Sequence, residues 1–97
     1  MPHLVVPSCR FYSSRDEDLF FAWLKGIPGV VSVTGRGKEL LVGLRSSRLS
    51  QLALRELLAI HLRYRLPMRQ LAQFETPQNR SWFRSPESHW HGKVFAS

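Results

Sequence analysis

Cysteine is almost absent from this sequence: with Cys9 alone, no internal disulfide can form. A disulfide-stapled fold is therefore excluded, and a reducing cytosol is the expected compartment, giving a cytoplasmic protein. Long apolar runs are missing as well. Nothing approaches the roughly 18 residues that a bilayer-spanning helix needs, so a soluble chain with no membrane partner is expected. The stretch from Met1 to Tyr12 lacks a basic start and an apolar core, and Pro2 and Pro7 interrupt it, so it does not look like a secretory signal. Acids are scarce, seven against fourteen Lys and Arg, and eleven of those fourteen cations are Arg. The resulting +7 favours encounter with nucleic acid, anionic lipid or an acidic protein without selecting among them. A guanidinium, unlike an ammonium, presents a planar fork of donors suited to phosphate and carboxylate.

What is present suffices for one folded unit. Ninety-seven residues set the scale of a single domain, and 43% hydrophobic with 11% aromatic content is enough to offset ordering entropy, which excludes wholesale disorder. Leu4, Val5 and Val6, followed by Cys9 to Tyr12, read as a first strand interrupted at Pro7. Ser14 and Glu17 fit a capping box, so a helix begins at Arg15, with Leu19, Phe20, Trp23, Leu24 and Ile27 as its apolar stripe and Gly26 and Pro28 as its stop. Val30, Val31 and Val33 then form a second strand. Gly35-Arg36-Gly37 supplies a hairpin turn, and Leu40, Val42 and Leu44 alternate on a third strand. Ser46 or Ser47 caps a longer helix that runs to about Leu66 before Pro67, and Leu71, Ala72 and Phe74 suggest a fourth strand.

The order β-α-β-β-α-β predicts an α+β fold of the ferredoxin-like kind, a four-stranded antiparallel sheet with two helices on one face. Residues 1–76 would be that core and residues 77–97 an aromatic C-terminal extension. Gly26-Ile27-Pro28-Gly29-Val30-Val31-Ser32-Val33, followed by a hairpin and a Ser-led helix, resembles the corresponding stretch of the heavy-metal-associated domains. As a pattern the resemblance covers roughly residues 4–75, and it implies the architecture alone. Those domains carry a Cys-x-x-Cys pair just before the first helix. Here Ser13 and Asp16 stand about where the thiolates would fall, and Cys9 lies too far upstream, so no metal and no other cofactor is expected.

The second helix is apolar twice. Leu49, Ala53, Leu57, Ile60 and Tyr64 form a sheet-facing stripe, while Leu54, Leu58 and Leu62 recur on nearly the opposite side. A row of leucines left in water is unusual, so a cover is required. The extension, with Trp82, Phe83, Trp90 and Phe95, is one candidate, and a second copy of the chain is the other. Ser85-Pro86-Glu87 reads as the start of a short helix there, with Gly92 as its end. The expectation is a non-enzymatic interaction or assembly module, homodimeric or bound to another protein, with Leu54, Leu58, Leu62, Trp82, Phe83, Trp90 and Phe95 as its apolar interface.

Charge supplies the alternative. Arg45, Arg48, Arg55, Arg63, Arg65 and Arg69 stand against Glu56 alone, a local balance of +5 around the second helix. They are candidates for contacting the phosphates of a nucleic acid, or else they form a solvated surface with ion pairs to Asp16, Glu17, Asp18 or a partner chain. Helical spacing scatters them around the axis. Stacking of RNA bases on the open sheet face finds little support, because the third strand has no aromatic residue. His89 and His91 lack further ligands nearby in sequence. Gly35-Arg36-Gly37-Lys38 leads into a strand, whereas a phosphate-cradling loop opens a helix. No catalytic constellation is expected.

Overall fold

The computed structural model describes residues 2–7 and 10–95; Cys9 lies outside them. In chain order the elements are β1 (His3–Val6), α1 (Ser14–Gly26), β2 (Val30–Arg36), β3 (Glu39–Leu44), α2 (Gln51–Tyr64), a 3-10 helix (Arg69–Phe74), α3 (Arg80–Phe83) and α4 (His91–Val94). β3 lies between the other strands and pairs antiparallel with both, in the order β1-β3-β2. Alternation decides the buried face: Leu4, Val6, Val42 and Leu44 point into the core, while Val5, Leu41 and Thr34 are neighbours on the opposite side. Gly37 turns the hairpin at φ +62, a conformation that side chains rarely adopt. No helix among the described residues is long and apolar enough to cross a membrane.

The four-stranded ferredoxin-like sheet is overturned. Leu71, Ala72 and Phe74 belong to the 3-10 helix, and the sheet has three strands. The spacing accounts for the difference. Met68, Leu71 and Phe74 are all buried, and side chains three apart share one side of a 3-10 helix but fall on opposite faces of a strand. The outer edge of β1, where a further strand could have paired, is met by side chains instead. Gln70 accepts from the Val5 N–H (2.8 Å) and donates to the Val5 carbonyl (3.0 Å), so its amide imitates a neighbouring peptide. Gln73 donates to the His3 carbonyl (3.3 Å). Two glutamines thus blunt an edge that would otherwise invite pairing with another chain.

Helix starts differ from expectation by a few residues. Ser13 is the cap of α1, its hydroxyl accepting from the Asp16 N–H (3.1 Å) while the Asp16 carboxylate accepts from the Tyr12 N–H (3.1 Å). Ser50 caps α2, and Ser46 instead closes a local turn on Arg48. α2 ends at Arg65, held in the left-handed region at φ 56, with the Leu66 N–H returning to the His61 carbonyl (2.9 Å). β1 stops at Val6, so Phe11 and Tyr12 are not on a strand.

α2 runs through the centre of the molecule. Ala53, Leu57 and Ile60 are buried, and so are Leu54 at 0% and Leu58 at 2% exposure on the other flank. α1 lies against α2 in the opposite direction, linked by Trp23 to Glu56 (3.0 Å) at one end and Tyr64 to Asp16 (3.1 Å) at the other. On the far flank lies the C-terminal segment. Trp82 sits under the Arg55 guanidinium at 4.3 Å, and α4 packs on the 3-10 helix. Phe83 is fully buried, with Phe95 edge-on at 4.9 Å, and the Trp90 indole donates to the Phe83 carbonyl (2.6 Å). Asn79 fixes the entry to this segment by accepting from Thr76 and donating to the Phe74 carbonyl, each at 2.8 Å. The helix expected at Pro86 is a turn, and Gly92 lies inside α4 and does not terminate it.

Candidate functional site

Burial sorts the candidate residues. Leu54, Leu58 and Phe83 are enclosed within the chain, while Leu62, Trp82, Trp90 and Phe95 are half-buried and packed against the same core. An enclosed side chain offers no surface to a partner. Any association of two copies would draw on the open parts of these half-buried side chains or on the exposed Leu19 and Leu52.

The six arginines divide by position along α2. Arg45 and Arg48 precede its N-terminus, about 20 Å from its far end at the usual rise per residue. Arg55 is committed to the Trp82 ring. Arg63, Arg65 and Arg69 surround the C-terminal end, where two open grooves meet. The first, about 670 Å³, is lined by Pro7, Arg10, Tyr12, Asp16, Arg63, Tyr64, Arg65 and Leu66. The second, about 770 Å³, runs along His61, Leu62, Arg65, Leu66, Arg69, Gly92 and Lys93. Arg65 and Leu66 belong to both, so the grooves adjoin at this end of the helix. The carbonyls that end α2 favour positive charge nearby, which helps to hold cations here.

Five cations therefore border these two adjoining grooves, and Asp16 is the only carboxylate among their described lining residues. That carboxylate is already engaged by the Tyr64 hydroxyl and the Tyr12 N–H. Burial first, then the hydrogen bond and charge of Asp16, raise the Tyr64 pKa above its ordinary value, with Arg63 acting the other way; the phenol stays protonated and donates. The ion pairs formed among the described residues engage Arg36 with Glu39, and Arg80 and Arg84 with Glu75. Arg63 and Arg65 form none with a described carboxylate, and the expected pairing with Asp16, Glu17 or Asp18 is not made.

His61 adds no charge. Its ring is buried, which lowers its pKa from 6.5 to about 4, only partly offset by the bond to the Leu57 carbonyl. Nδ1–H donates to that carbonyl (2.7 Å), leaving Nε2 to accept from the Gln70 amide (3.3 Å), so the neutral imidazole joins α2 to the cap on the β1 edge. His89 is exposed and His91 lies against the Phe95 ring at 5.7 Å. No three His, Cys, Asp or Glu side chains among the described residues are grouped so as to hold a metal ion.

Sequence reasoning missed Arg10, Tyr12 and Lys93. Each is an isolated polar or aromatic residue in its own stretch, and only the fold carries it to the end of α2; no periodic signal could have found it. Compared with protein-family models, with curated proteins and with solved structures, the chain matches none of them.

Proposed function

We propose that this protein is a non-enzymatic nucleic-acid-binding module that holds phosphates along the basic groove at the C-terminal end of α2. Arg63 and Arg65 come from α2 and its C-cap, Arg69 from the start of the 3-10 helix, Arg10 from the loop before α1, and Lys93 from α4. The observation that carries the reading is the gathering of these cations around two adjoining grooves, the first of which holds Arg10, Arg63 and Arg65 with Asp16 as its only described carboxylate, itself engaged by Tyr64 and Tyr12. Guanidinium forks suit phosphate oxygens, and neutralising phosphates releases condensed counterions, so affinity must fall as salt rises. The Arg45 and Arg48 pair lies at the other end of α2 and takes no part. Titration of a labelled mixed-sequence oligonucleotide at about 50 and about 200 mM salt tests the proposal. Three to four phosphate contacts predict a loss of affinity on the order of 30-fold or more between the two. Absence of binding at the lower salt overturns it.

A further inference from the structure

Tyr12 is the most exposed large apolar side chain described, at 84%, yet its backbone is pinned by the Asp16 carboxylate at 3.1 Å. The ring contributes almost nothing to the core. It stands at the lip of the first groove with the Arg10 guanidinium 5.7 Å from its centroid, and Arg63 and Arg65 line the same groove. An aromatic face beside guanidinium groups is the arrangement on which unpaired bases stack while their phosphates are held.

The remaining surface speaks against a duplex. A major groove admits an exposed basic helix or a β-ribbon; α2 is enclosed on both flanks, and the exposed β2–β3 hairpin pairs its Arg36 with Glu39. α1 presents exposed Glu17 and Asp18. α3 and α4 have four residues each and span only about 6 Å. The open sheet face carries Val5, Thr34 and Leu41 with the His3 imidazole at one end, and none of its strand residues is Phe, Tyr or Trp.

Resting on the nucleic-acid reading above, we propose that the first groove takes a single strand, with one base stacked on Tyr12 and its flanking phosphates on Arg10, Arg63 and Arg65. Both single-stranded RNA and single-stranded DNA have this chemistry. The experiment is fluorescence anisotropy at low salt with a labelled twelve-nucleotide strand as RNA, as DNA, as blunt duplex and as an abasic strand, using the full chain, Tyr12→Ala and Tyr12→Phe. Single strands should bind at least about 10-fold more tightly than the duplex, and the better of RNA and DNA identifies the source. Tyr12→Ala should weaken single-strand binding by about 5- to 100-fold with an unchanged salt slope, and the abasic strand should lose a similar factor. Tyr12→Phe should retain affinity, since it keeps the ring. Because the side chain is exposed, circular dichroism of both variants should match the parent. Equal affinity for Tyr12→Ala, equal affinity for the abasic strand, or preference for the duplex would overturn the single-strand assignment while leaving phosphate binding standing. Failure of every probe to bind would remove both.

Discussion

The body of α2 and its C-terminal end follow opposite rules. Along the body, Leu54, Leu57, Leu58 and Ile60 are enclosed, and the one buried polar side chain, His61, has a partner for each ring nitrogen. At the end, guanidinium groups crowd a groove without described carboxylates to neutralise Arg63 and Arg65. Closure of polar groups inside serves stability, since a buried donor without an acceptor costs about 1–3 kcal/mol. Charge left open at the surface costs little there and remains available to a ligand. The same helix thus divides folding from binding along its length.

The largest effects should come from opening the body. Phe83→Ala should cost about 3–5 kcal/mol and Leu54→Ala about 2–5 kcal/mol in chemical denaturation, because each leaves a cavity beneath an enclosed flank. If Phe83→Ala were neutral, the C-terminal segment would not be part of the core. Next comes acid. The unfolded chain protonates His61 near 6.5 and the folded one only near 4, so stability is complete above pH 6.5 and declines as pH falls towards 4. The total from this group is about 3 kcal/mol. Urea midpoints across that range should show the decline, and His61→Gln should flatten it. Gln70→Leu removes the amide that closes the β1 edge and should cost about 1–3 kcal/mol, with a rise in light scattering as the edge becomes available.

The smallest effect separates the two regions most cleanly. Arg65 occupies the left-handed region, where glycine is the unstrained choice. Arg65→Gly should therefore raise stability by about 0.5 kcal/mol, the left-handed penalty less the extra chain entropy of glycine. It should also weaken oligonucleotide binding. A variant that becomes more stable and binds less well would show that charge, and not helix termination, selects the residue there.

Periodicity made some of this legible and hid the rest. The two stripes of α2 were readable because a helical repeat of leucines is a local signal, and β2 with β3 followed from alternation, although Gly35 and Arg36 lie within β2 and the turn is Gly37-Lys38. The segment Arg69–Phe74 reads as a strand when Leu71 and Phe74 are grouped with Ala72, whereas the three-residue step from Met68 is the physical clue. Once that strand is lost, so is the ferredoxin-like sheet, and the role of Gln70 as a substitute for a paired peptide has no counterpart in any sequence pattern. At the candidate site, Arg63, Arg65 and Arg69 were visible as part of a basic run. Their separation from Arg45 and Arg48 is the length of α2, whereas the arrival of Arg10 and Tyr12 depends on contacts that cross more than half the chain, and that of Lys93 on the return of the C-terminal segment.

The most direct test of the division is the slope of log affinity against log salt for one labelled single strand, measured on the parent, on Arg63→Ala/Arg65→Ala and on Arg45→Ala/Arg48→Ala. Loss of two phosphate contacts should flatten the slope by about 1 to 2 in the first double variant and leave it unchanged in the second. Equal flattening in both, or a parent slope near zero, would contradict a binding surface confined to the C-terminal end of α2.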